Sequence, residues 1–198
     1  PPRSTLFPYT TLFRSSWYMM DEMLRFFKFL LDVKPGSKFL VITRDPAESL
    51  FQKAIGQNIP AEKIIVRPGL RHEIPGLISL SDFSLFFIQP VYSKKASSPT
   101  KLGEILGMGV PVICNAGVGD VDITVNAICP HCVAQNFTDE ELKRLAKHVA
   151  NHPAANRKFL RQTGQQHFSL QDGIEKYGKI YQKCLLRQNN TNFENLHT

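Results

Sequence analysis

The sequence predicts an α/β fold built on a doubly wound parallel sheet. Short apolar, β-branched runs that are typical of buried strands alternate with longer amphipathic segments that are typical of helices. Such alternation indicates βαβ units, because a pair of parallel strands needs a crossover connection, which is usually a helix. A chain of 198 residues is long enough for one such domain with a sizeable core, and we predict no second domain.

The individual elements follow from start signals, periodicity and stop signals. Apolar residues at helical spacing after Ser16 predict a first helix, which the run Lys34-Pro35-Gly36 ends. We predict strands at 38–43, 64–67, 84–89, 110–115 and 133–135. We predict the remaining helices at 45–55, 74–80, 98–108, 138–151, 155–166 and 170–186.

The two ends of the chain differ from the rest. Residues 5–15 resemble the translation of a short-read sequencing adapter, and residues 1–15 lack the pattern of a signal peptide. We therefore expect 1–15 to be an artefactual segment. Residues 16–186 are expected to form the domain, and the polar residues 187–198 are expected to form a flexible tail.

The charge of the chain limits its partners. The sequence carries 24 basic and 17 acidic residues, a net charge of +7, and setting aside Arg3 and Arg14 leaves 22 basic residues and a net charge of +5. This balance suits an enzyme that handles anionic substrates or lies near an anionic membrane surface. It is too weak to indicate nucleic acid, so we predict no nucleic-acid partner.

The segment 97–113 carries the candidate site. Ser98 at the N-cap and Pro99 at the first helical position are preferred start chemistry for a helix. This start follows a strand end, so its free N–H groups face the crevice at the carboxyl ends of the strands, where anions bind. Thr100, Lys101 and Glu104 share one helical face, which predicts a phosphate at Lys101 and a ribose at Glu104. The same pattern also fits an ordinary capped helix with an exposed Lys–Glu pair.

The run SSPTKLGEILGMGVPVICNAGVGD, at residues 97–120, resembles the donor-site signature of retaining glycosyltransferases of family 4, also called group 1. The likeness continues elsewhere, since WYMMDEML resembles the first helix of that family and FSLQDGIEKYGKIY resembles its closing helices. The resemblance implies the Rossmann-like C-terminal half of a glycosyltransferase B fold, cut off just before its first strand. It also implies transfer of a sugar, with retention, from a nucleotide-sugar to an unknown acceptor.

The resemblance also assigns roles to named residues. Glu104 matches the glutamate that binds the ribose, and residues 64–75 match the loop that walls the base. Lys101, together with the helix N-terminus, would stabilise the charge that grows on the leaving diphosphate. The expected donor-binding residues are Arg44, Ser98, Thr100, Lys101, Glu104, Gly117 and Gly119, and the expected base-wall residues are Arg67, Pro68 and Gly69. No catalytic acid or base is assigned.

Several positions depart from the family pattern. Ala96 occupies the position of the first glutamate of the family's pair, and Trp17 occupies that of the lysine in its diphosphate clamp. Arg44 either supplies the lost positive charge or is a solvated loop arginine. Gly117 and Gly119 belong to a loop that either lies against the donor or is a plain tight turn.

The first strand of the family fold is expected to be missing. It is central in the usual strand order 3-2-1-4-5-6, so its loss would leave its two neighbours without a partner. We predict that Thr10-Thr11-Leu12-Phe13 occupy its position, since these residues are apolar, aromatic or β-branched. Pro8 should limit the strand at its start, because proline cannot donate to a ladder. A strand of accidental origin should leave the domain only marginally stable.

Three other interpretations remain open. The first is a nucleotide-sugar epimerase, which shares the architecture, and the second is a non-catalytic nucleotide-binding module. The third is a thiol redox protein using Cys129 and Cys132, because Cys-Pro-His-Cys resembles the dithiol of periplasmic thiol oxidants. Against it, an active dithiol opens a helix, whereas this one precedes a predicted strand. A zinc site would need two more ligands, and no second paired spacing is present.

The cellular context follows from the resemblance and from the cysteines. The expected partners are the nucleotide-sugar donor, a missing N-terminal half that binds the acceptor, and a membrane surface. Apart from the nucleotide-sugar substrate we expect no cofactor, and we expect no metal. The cysteine pattern indicates a reducing cytoplasm, so we predict a bacterial-type cytoplasmic enzyme at or near the inner face of the membrane. This fragment alone is expected to be inactive.

Overall fold

The computed structural model describes residues 6–10, 17–151 and 155–194, with side chains for 17–151 and 155–185. In these residues the strands are β1 (Leu6–Thr10), β2 (Lys38–Ile42), β3 (Ile64–Arg67), β4 (Ser84–Leu85), β5 (Val112–Asn115) and β6 (Val133–Ala134). The α-helices are α1 (Met20–Val33), α2 (Ala47–Gly56), α3 (Ile74–Ser79), α4 (Thr100–Gly107), α5 (Val121–Ile128), α6 (Asp139–Asn151), α7 (Arg157–Phe168) and α8 (Leu170–Glu194). Strands and helices alternate as far as β6, and three helices close the chain.

The strands form two three-stranded parallel sheets that lie side by side. The first sheet has the order β1-β2-β3 and the second has the order β4-β5-β6. Every ladder among the described strands is parallel. Because β1 also contacts β4, the two sheets together follow the doubly wound order 3-2-1-4-5-6. The predicted α/β architecture is confirmed.

The central strand is formed by residues 6–10 and not by the run predicted to start at Thr10. Pro8 does not limit this strand, because it lies in the middle of β1, opposite Leu40. A proline is tolerated there since β1 has a ladder with β2 alone among the described strands, and a strand that is paired on one side needs donors only at alternate residues. The rest of the predicted run, residues 11–13, lies outside the described residues.

Strand β4 ends earlier than predicted because a buried side chain replaces part of its ladder. The N–H of Phe86 still donates to the carbonyl of Ile113 at 3.0 Å. Two residues later, the N–H of Ile88 donates to Oδ1 of Asn115 at 2.8 Å, and Nδ2 of Asn115 donates to the carbonyl of Ile88 at 2.9 Å. Asn115 is buried, so these bonds satisfy backbone groups that water cannot reach. The chain is thereby held against β5 up to the candidate site.

Aromatic packing fixes α1 against the sheet. Phe27 on α1 stacks on Phe39 of β2 with ring centres 5.2 Å apart, and Phe26 meets Phe87 edge-on at 6.3 Å. All four rings are fully buried, and each contributes about 1.5–3 kcal/mol relative to an exposed ring. The helix also packs along α6. Helix α1 is therefore held rigidly against the sheet. It fixes one end of the segment that precedes it, and this segment lines the candidate site.

Three helices differ from the sequence-based prediction. No helix is predicted where α5 lies, because Val121–Ile128 is rich in β-branched residues, which favour strands. Helix α8 extends to Glu194, past the predicted end at 186, and the flexibility of 187–198 stays a prediction. Helix α1 begins at Met20, and its predicted cap, Ser16, lies outside the described residues.

Candidate functional site

Helix α4 begins one residue later than predicted. The N-cap position is held by Pro99 and not by Ser98, and the carbonyl of Pro99 accepts a hydrogen bond from the N–H of Leu102 at 3.0 Å. A proline has no side-chain acceptor, so the first N–H groups of this eight-residue helix receive no side-chain cap from it. The start of α4 thus keeps the polarity that attracts anions.

A cavity of about 340 Å³ lies against this helix start, and we call it the lysine cavity. Four predicted donor-binding residues line it together, namely Ser98, Thr100, Lys101 and Glu104. Its other walls are Trp17 and Tyr18 before α1, Ile88 after β4, and Lys94, Ser97 and Pro99 before α4. The cavity therefore joins two basic side chains, hydroxyl groups and aromatic rings at the crevice that the sequence predicts.

A second cavity, of about 350 Å³, adjoins the first, and we call it the α3–α4 cavity. Arg71, Ile74, Pro75, Ile78, Gly103, Glu104, Gly107 and Met108 line it. Glu104 is the residue that lines both cavities. A ligand with an anionic part and a flat, less polar part could occupy both cavities at once. The part of the ligand that connects the two would then lie beside the Glu104 carboxylate.

Lys101 is buried although it carries a charge. It is 8% exposed, and its Nζ lies 4.0 Å from the centre of the Tyr18 ring, a cation–π contact. Burial lowers the pKa of Lys101 to about 7, against the smaller opposing effect of the negative Glu104. Burial also raises the pKa of the Tyr18 phenol. An anion that enters the cavity would favour the protonated lysine, so the site is suited to phosphate.

A second lysine in the cavity is missed by sequence reasoning. Nζ of Lys94 lies 4.5 Å from the centre of the Trp17 ring. The signal that could have drawn attention to it is the basic run Lys94-Lys95 a few residues before Lys101. Its relation to Trp17 depends on tertiary structure, which no local pattern reveals.

The loop that contains Gly117 and Gly119, here called the glycine loop, packs against the segment 94–98, which forms one wall of the lysine cavity. Gly117 and Gly119 have φ of 83° and 52°, values that favour glycine, and neither is among the residues that line the two cavities. The N–H of Gly119 donates to the carbonyl of Lys94 at 3.0 Å. A Cβ at Gly119 would overlap the carbonyl oxygen of Ser97. The loop is therefore more than a plain tight turn, because it holds the segment that carries Lys94 and Ser98.

Arg44 lies apart from both cavities. It occupies an exposed bend between β2 and α2, next to Asp45, whose N–H donates to Oγ1 of Thr43 at 3.0 Å. This position is at the carboxyl end of β2, on the predicted side of the sheet. The structure does not bring Arg44 together with Lys101 in the lining of one cavity.

The predicted base-wall residues lie beside the α3–α4 cavity and not on its lining. Arg67 is the last residue of β3, with Nη2 3.5 Å from Oε1 of Glu73, and Pro68 is exposed. Gly69 is buried, and a Cβ there would lie 2.7 Å from Cδ1 of Ile74. The lining of that cavity comes in part from the following helix, α3, and Glu73 stabilises the turn before this helix by accepting the N–H of Leu70 at 2.8 Å.

The thiol pair is close but is placed unfavourably for redox catalysis. Sγ of Cys129 and Sγ of Cys132 are 2.6 Å apart, and the hydrogen bond between them lowers the pKa of Cys129 while raising that of Cys132. Cys129 is at the C-terminal end of α5, where the helix dipole opposes a thiolate, and β6 follows the pair as predicted. Within the described ranges, no group of three or more His, Cys, Asp or Glu is arranged to hold a metal ion.

Across the part of the chain that the structure describes, none of the helices has both the length and the apolar character needed to cross a membrane.

Solved structures that resemble this chain include glycosyltransferases. Sucrose-phosphate synthase from Thermosynechococcus elongatus matches with a TM-score of 0.71 and 16% identity over 94% of this chain and 47% of that chain. The pneumococcal O-GlcNAc transferase GtfA, solved with UDP and GlcNAc, matches with a TM-score of 0.66 and 16% identity over 93% of this chain and 36% of that chain. WaaG, a glycosyltransferase involved in lipopolysaccharide biosynthesis, matches with a TM-score of 0.65 and 14% identity over 87% and 44%.

The fold is that of the glycosyltransferase B enzymes. These identities are low, so the glycosyltransferase B likeness shows the fold alone. The chain spans less than half of the length of each of these three proteins, consistent with the Rossmann-like C-terminal half of a glycosyltransferase B fold. A protein described as a UDP-N-acetylglucosamine 2-epimerase, from Listeria monocytogenes, matches less well, with a TM-score of 0.51 and 14% identity over 83% of this chain and 40% of that chain.

Comparisons at the level of sequence do not show a family. No protein-family model matches the chain. The histidine–tRNA ligase of Halothermothrix orenii is 24% identical over 151 residues, which are 74% of this chain and 35% of the ligase. This identity is too low to place the chain with the ligase.

Proposed function

We propose that the chain is the donor-binding half of a retaining family 4 (group 1) glycosyltransferase, which transfers a sugar from a nucleotide-sugar to an acceptor. The observation that carries this proposal is the pair of adjoining cavities with Glu104 between them and Lys101 at the start of α4. The diphosphate binds in the lysine cavity, Glu104 accepts hydrogen bonds from the ribose, and the base lies in the α3–α4 cavity. The fold comparisons support the same class of enzyme.

Binding in this arrangement favours the departure of the nucleotide. When the bond from the sugar to the diphosphate breaks, negative charge grows on the leaving oxygen. Lys101 takes that charge next to a helix N-terminus, and Ser98 and Thr100 are placed to donate hydrogen bonds to it. The acceptor and the groups that act on it come from an N-terminal half outside this chain. We propose a cytoplasmic location, at or near the inner face of a membrane.

Calorimetric titration with UDP and with GDP tests the assignment. Lys101→Ala removes a charge-assisted phosphate contact worth about 1.5–3 kcal/mol, so affinity should fall about ten- to a hundredfold. Glu104→Ala should weaken the binding of UDP and GDP more than the binding of pyrophosphate, which has no ribose. Lys147→Ala, which changes an exposed lysine on α6, is the matched control. Equal affinities of the wild type, Lys101→Ala and Lys147→Ala would refute the assignment.

Further measurements separate the alternatives. An epimerase of this fold would convert a nucleotide-sugar without any acceptor, and product analysis by chromatography detects that. A non-catalytic module would bind the donor without turnover even when joined to its N-terminal half. The similarity to a histidine–tRNA ligase would gain weight if histidine or tRNA bound while UDP and GDP did not.

A further inference from the structure

Two cations in the lysine cavity each lie on an aromatic ring. Nζ of Lys101 is 4.0 Å from the centre of Tyr18, and Nζ of Lys94 is 4.5 Å from the centre of Trp17. All four side chains line the same cavity of about 340 Å³. The consecutive aromatic residues Trp17 and Tyr18 therefore position two ammonium groups. One belongs to Lys94, before α4, and the other to Lys101, in the first turn of α4.

The backbone on both sides of these pairs is held in place. The N–H of Gln89 donates to the carbonyl of Trp17 at 2.9 Å, and Tyr18 forms a bridge with Ile88. On the opposite wall, the carbonyl of Lys94 accepts the N–H of Gly119 at 3.0 Å. Hydrogen bonds therefore hold the backbone at Trp17, Tyr18 and Lys94, so these residues do not depend on side-chain packing alone for their positions.

We propose that Lys94, held over Trp17, supplies the second positive charge that binds the diphosphate of the donor in the lysine cavity. This inference rests on the proposed function. A diphosphate carries negative charge on both phosphates, and Lys101 with the start of α4 can neutralise only one of them. Lys94 is the second basic side chain on the lining of this cavity.

The aromatic contact keeps Lys94 available for a phosphate. A cation–π contact at a partly exposed site is weaker than a charge-assisted hydrogen bond to phosphate, so the ammonium can leave the ring when an anion arrives. The Trp17 ring holds the ammonium near its working position before binding, which reduces the ordering required when the ligand binds. Trp17 is therefore a positioning residue and Lys94 a binding residue.

The neighbouring Lys95 provides a matched control. It is exposed, its Nζ lies 5.7 Å from the centre of the Tyr92 ring, and it is absent from the lining of the lysine cavity. Lys94→Ala and Lys95→Ala remove the same charge from adjacent positions, so general electrostatic attraction changes equally in both. A difference between them reports on contact with the ligand.

Pyrophosphate and phosphate test the inference without depending on the base. Trp17 is the single tryptophan of the chain, so its fluorescence reports directly on the Lys94 contact. We expect pyrophosphate to change the emission of the wild type, and Lys94→Ala to weaken its binding at least tenfold. Phosphate binding should change less than threefold in Lys94→Ala. Lys95→Ala should stay within about twofold of the wild type for both ions. Trp17→Phe, which lacks the fluorescent reporter and is measured by calorimetric titration beside Lys94→Ala, should weaken pyrophosphate binding less than Lys94→Ala does.

Two results would overturn the inference. One is an equal loss of pyrophosphate affinity in Lys94→Ala and Lys95→Ala, and the other is an equal loss for phosphate and pyrophosphate in Lys94→Ala. Circular dichroism establishes that each variant is folded, and Lys94→Gln replaces Lys94→Ala if the latter is not. Failure of the proposed function looks different, because pyrophosphate would still bind through Lys94 while UDP and GDP would bind no better than pyrophosphate.

Discussion

At the scale of single residues, the buried ammonium of Lys101 opposes folding near neutral pH. The folded-state pKa of about 7 is below the ordinary value of 10.5, so between these values the unfolded chain binds more protons than the folded chain. Stability should therefore rise as the pH increases from about 7 towards 10.5. Below about pH 7 the protonated lysine carries its full desolvation cost, which binding of a phosphate would offset.

Lys101→Met should stabilise the protein in a pH-dependent way. At pH 6.5 we expect a gain of roughly 2–4 kcal/mol in the free energy of unfolding, because a buried charge becomes an apolar side chain of similar length. At pH 10 the gain should be much smaller, since the wild-type lysine is then mostly neutral when folded. Urea unfolding of wild type, Lys101→Met and the exposed control Lys147→Met at both pH values measures this. A gain that does not depend on pH would show that Lys101 is not desolvated.

The residues of the site differ in how far sequence could reveal them. Thr100, Lys101 and Glu104 share one face of α4 and Ser98 lies just before this helix, so local sequence patterns suffice to group them. Lys94 and Trp17 come together only through the bridge between the segment before α1 and the segment after β4. Arg44 is predicted to bind the donor because it follows a strand end. That position alone does not bring its side chain to the lining of the lysine cavity.

At the scale of elements, the glycine loop controls the wall of the lysine cavity through its backbone. Gly119→Ala should displace the segment at Ser97, because the new Cβ would overlap its carbonyl oxygen, and the φ of 52° disfavours alanine. We expect a loss of about 1–3 kcal/mol in stability and a loss of UDP or GDP affinity.

Gly173→Ala is the control for this change, because a Cβ at that position on α8 would meet nothing within 4 Å. In a helix this substitution should be neutral or stabilise by up to about 1 kcal/mol. Thermal unfolding and nucleotide titration of both variants provide the comparison. If Gly119→Ala behaves like Gly173→Ala, the loop has no role in supporting the wall.

The thiol pair at the end of α5, Cys129 and Cys132, should have no role in nucleotide binding. The double variant Cys129→Ser and Cys132→Ser should keep the fold and the affinity for UDP or GDP, because neither thiol lines the lysine cavity or the α3–α4 cavity. Alkylation rate against pH measures the thiol pKa directly. A strongly depressed pKa at Cys129, together with loss of activity in the double variant of the full-length enzyme, would support redox chemistry instead.

The elements themselves show where local patterns succeed. Strand β3 has the predicted bounds, since Ile64–Arg67 is a β-branched run with clear turn signals on both sides. Strand β4 and helix α5 do not follow prediction, for tertiary reasons. The amide of Asn115 replaces the ladder beyond Leu85, and packing of Val121 and Val125 in the core stabilises a helix from residues that prefer strands.

At the scale of the whole molecule, the chain should bind a donor without transferring a sugar. It spans 36–47% of the length of the three transferases compared above, and we expect acceptor-dependent transfer to need a cleft between two halves. We expect no donor-dependent product from purified 1–198 in a coupled assay for nucleoside diphosphate release. The same assay with the N-terminal half restored is the control. Transfer by 1–198 alone would mean that acceptor binding also lies within this chain.

The boundary between the two three-stranded sheets has a consequence for hydrogen exchange. The ladders assigned to the described strands stop between β1 and β4, and the bonds from Met19 N–H to Phe87 and from Gln89 N–H to Trp17 cross this boundary beside the lysine cavity. A nucleotide in the lysine cavity would lie against both segments, because Trp17 and Tyr18 of one and Ile88 of the other line it, so opening at the two amides would require release of the ligand. Bound UDP or GDP should slow exchange at Met19 and Gln89 more than at amides within β2 or β5. A bound nucleotide would then oppose local opening between the segment before α1 and the segment after β4.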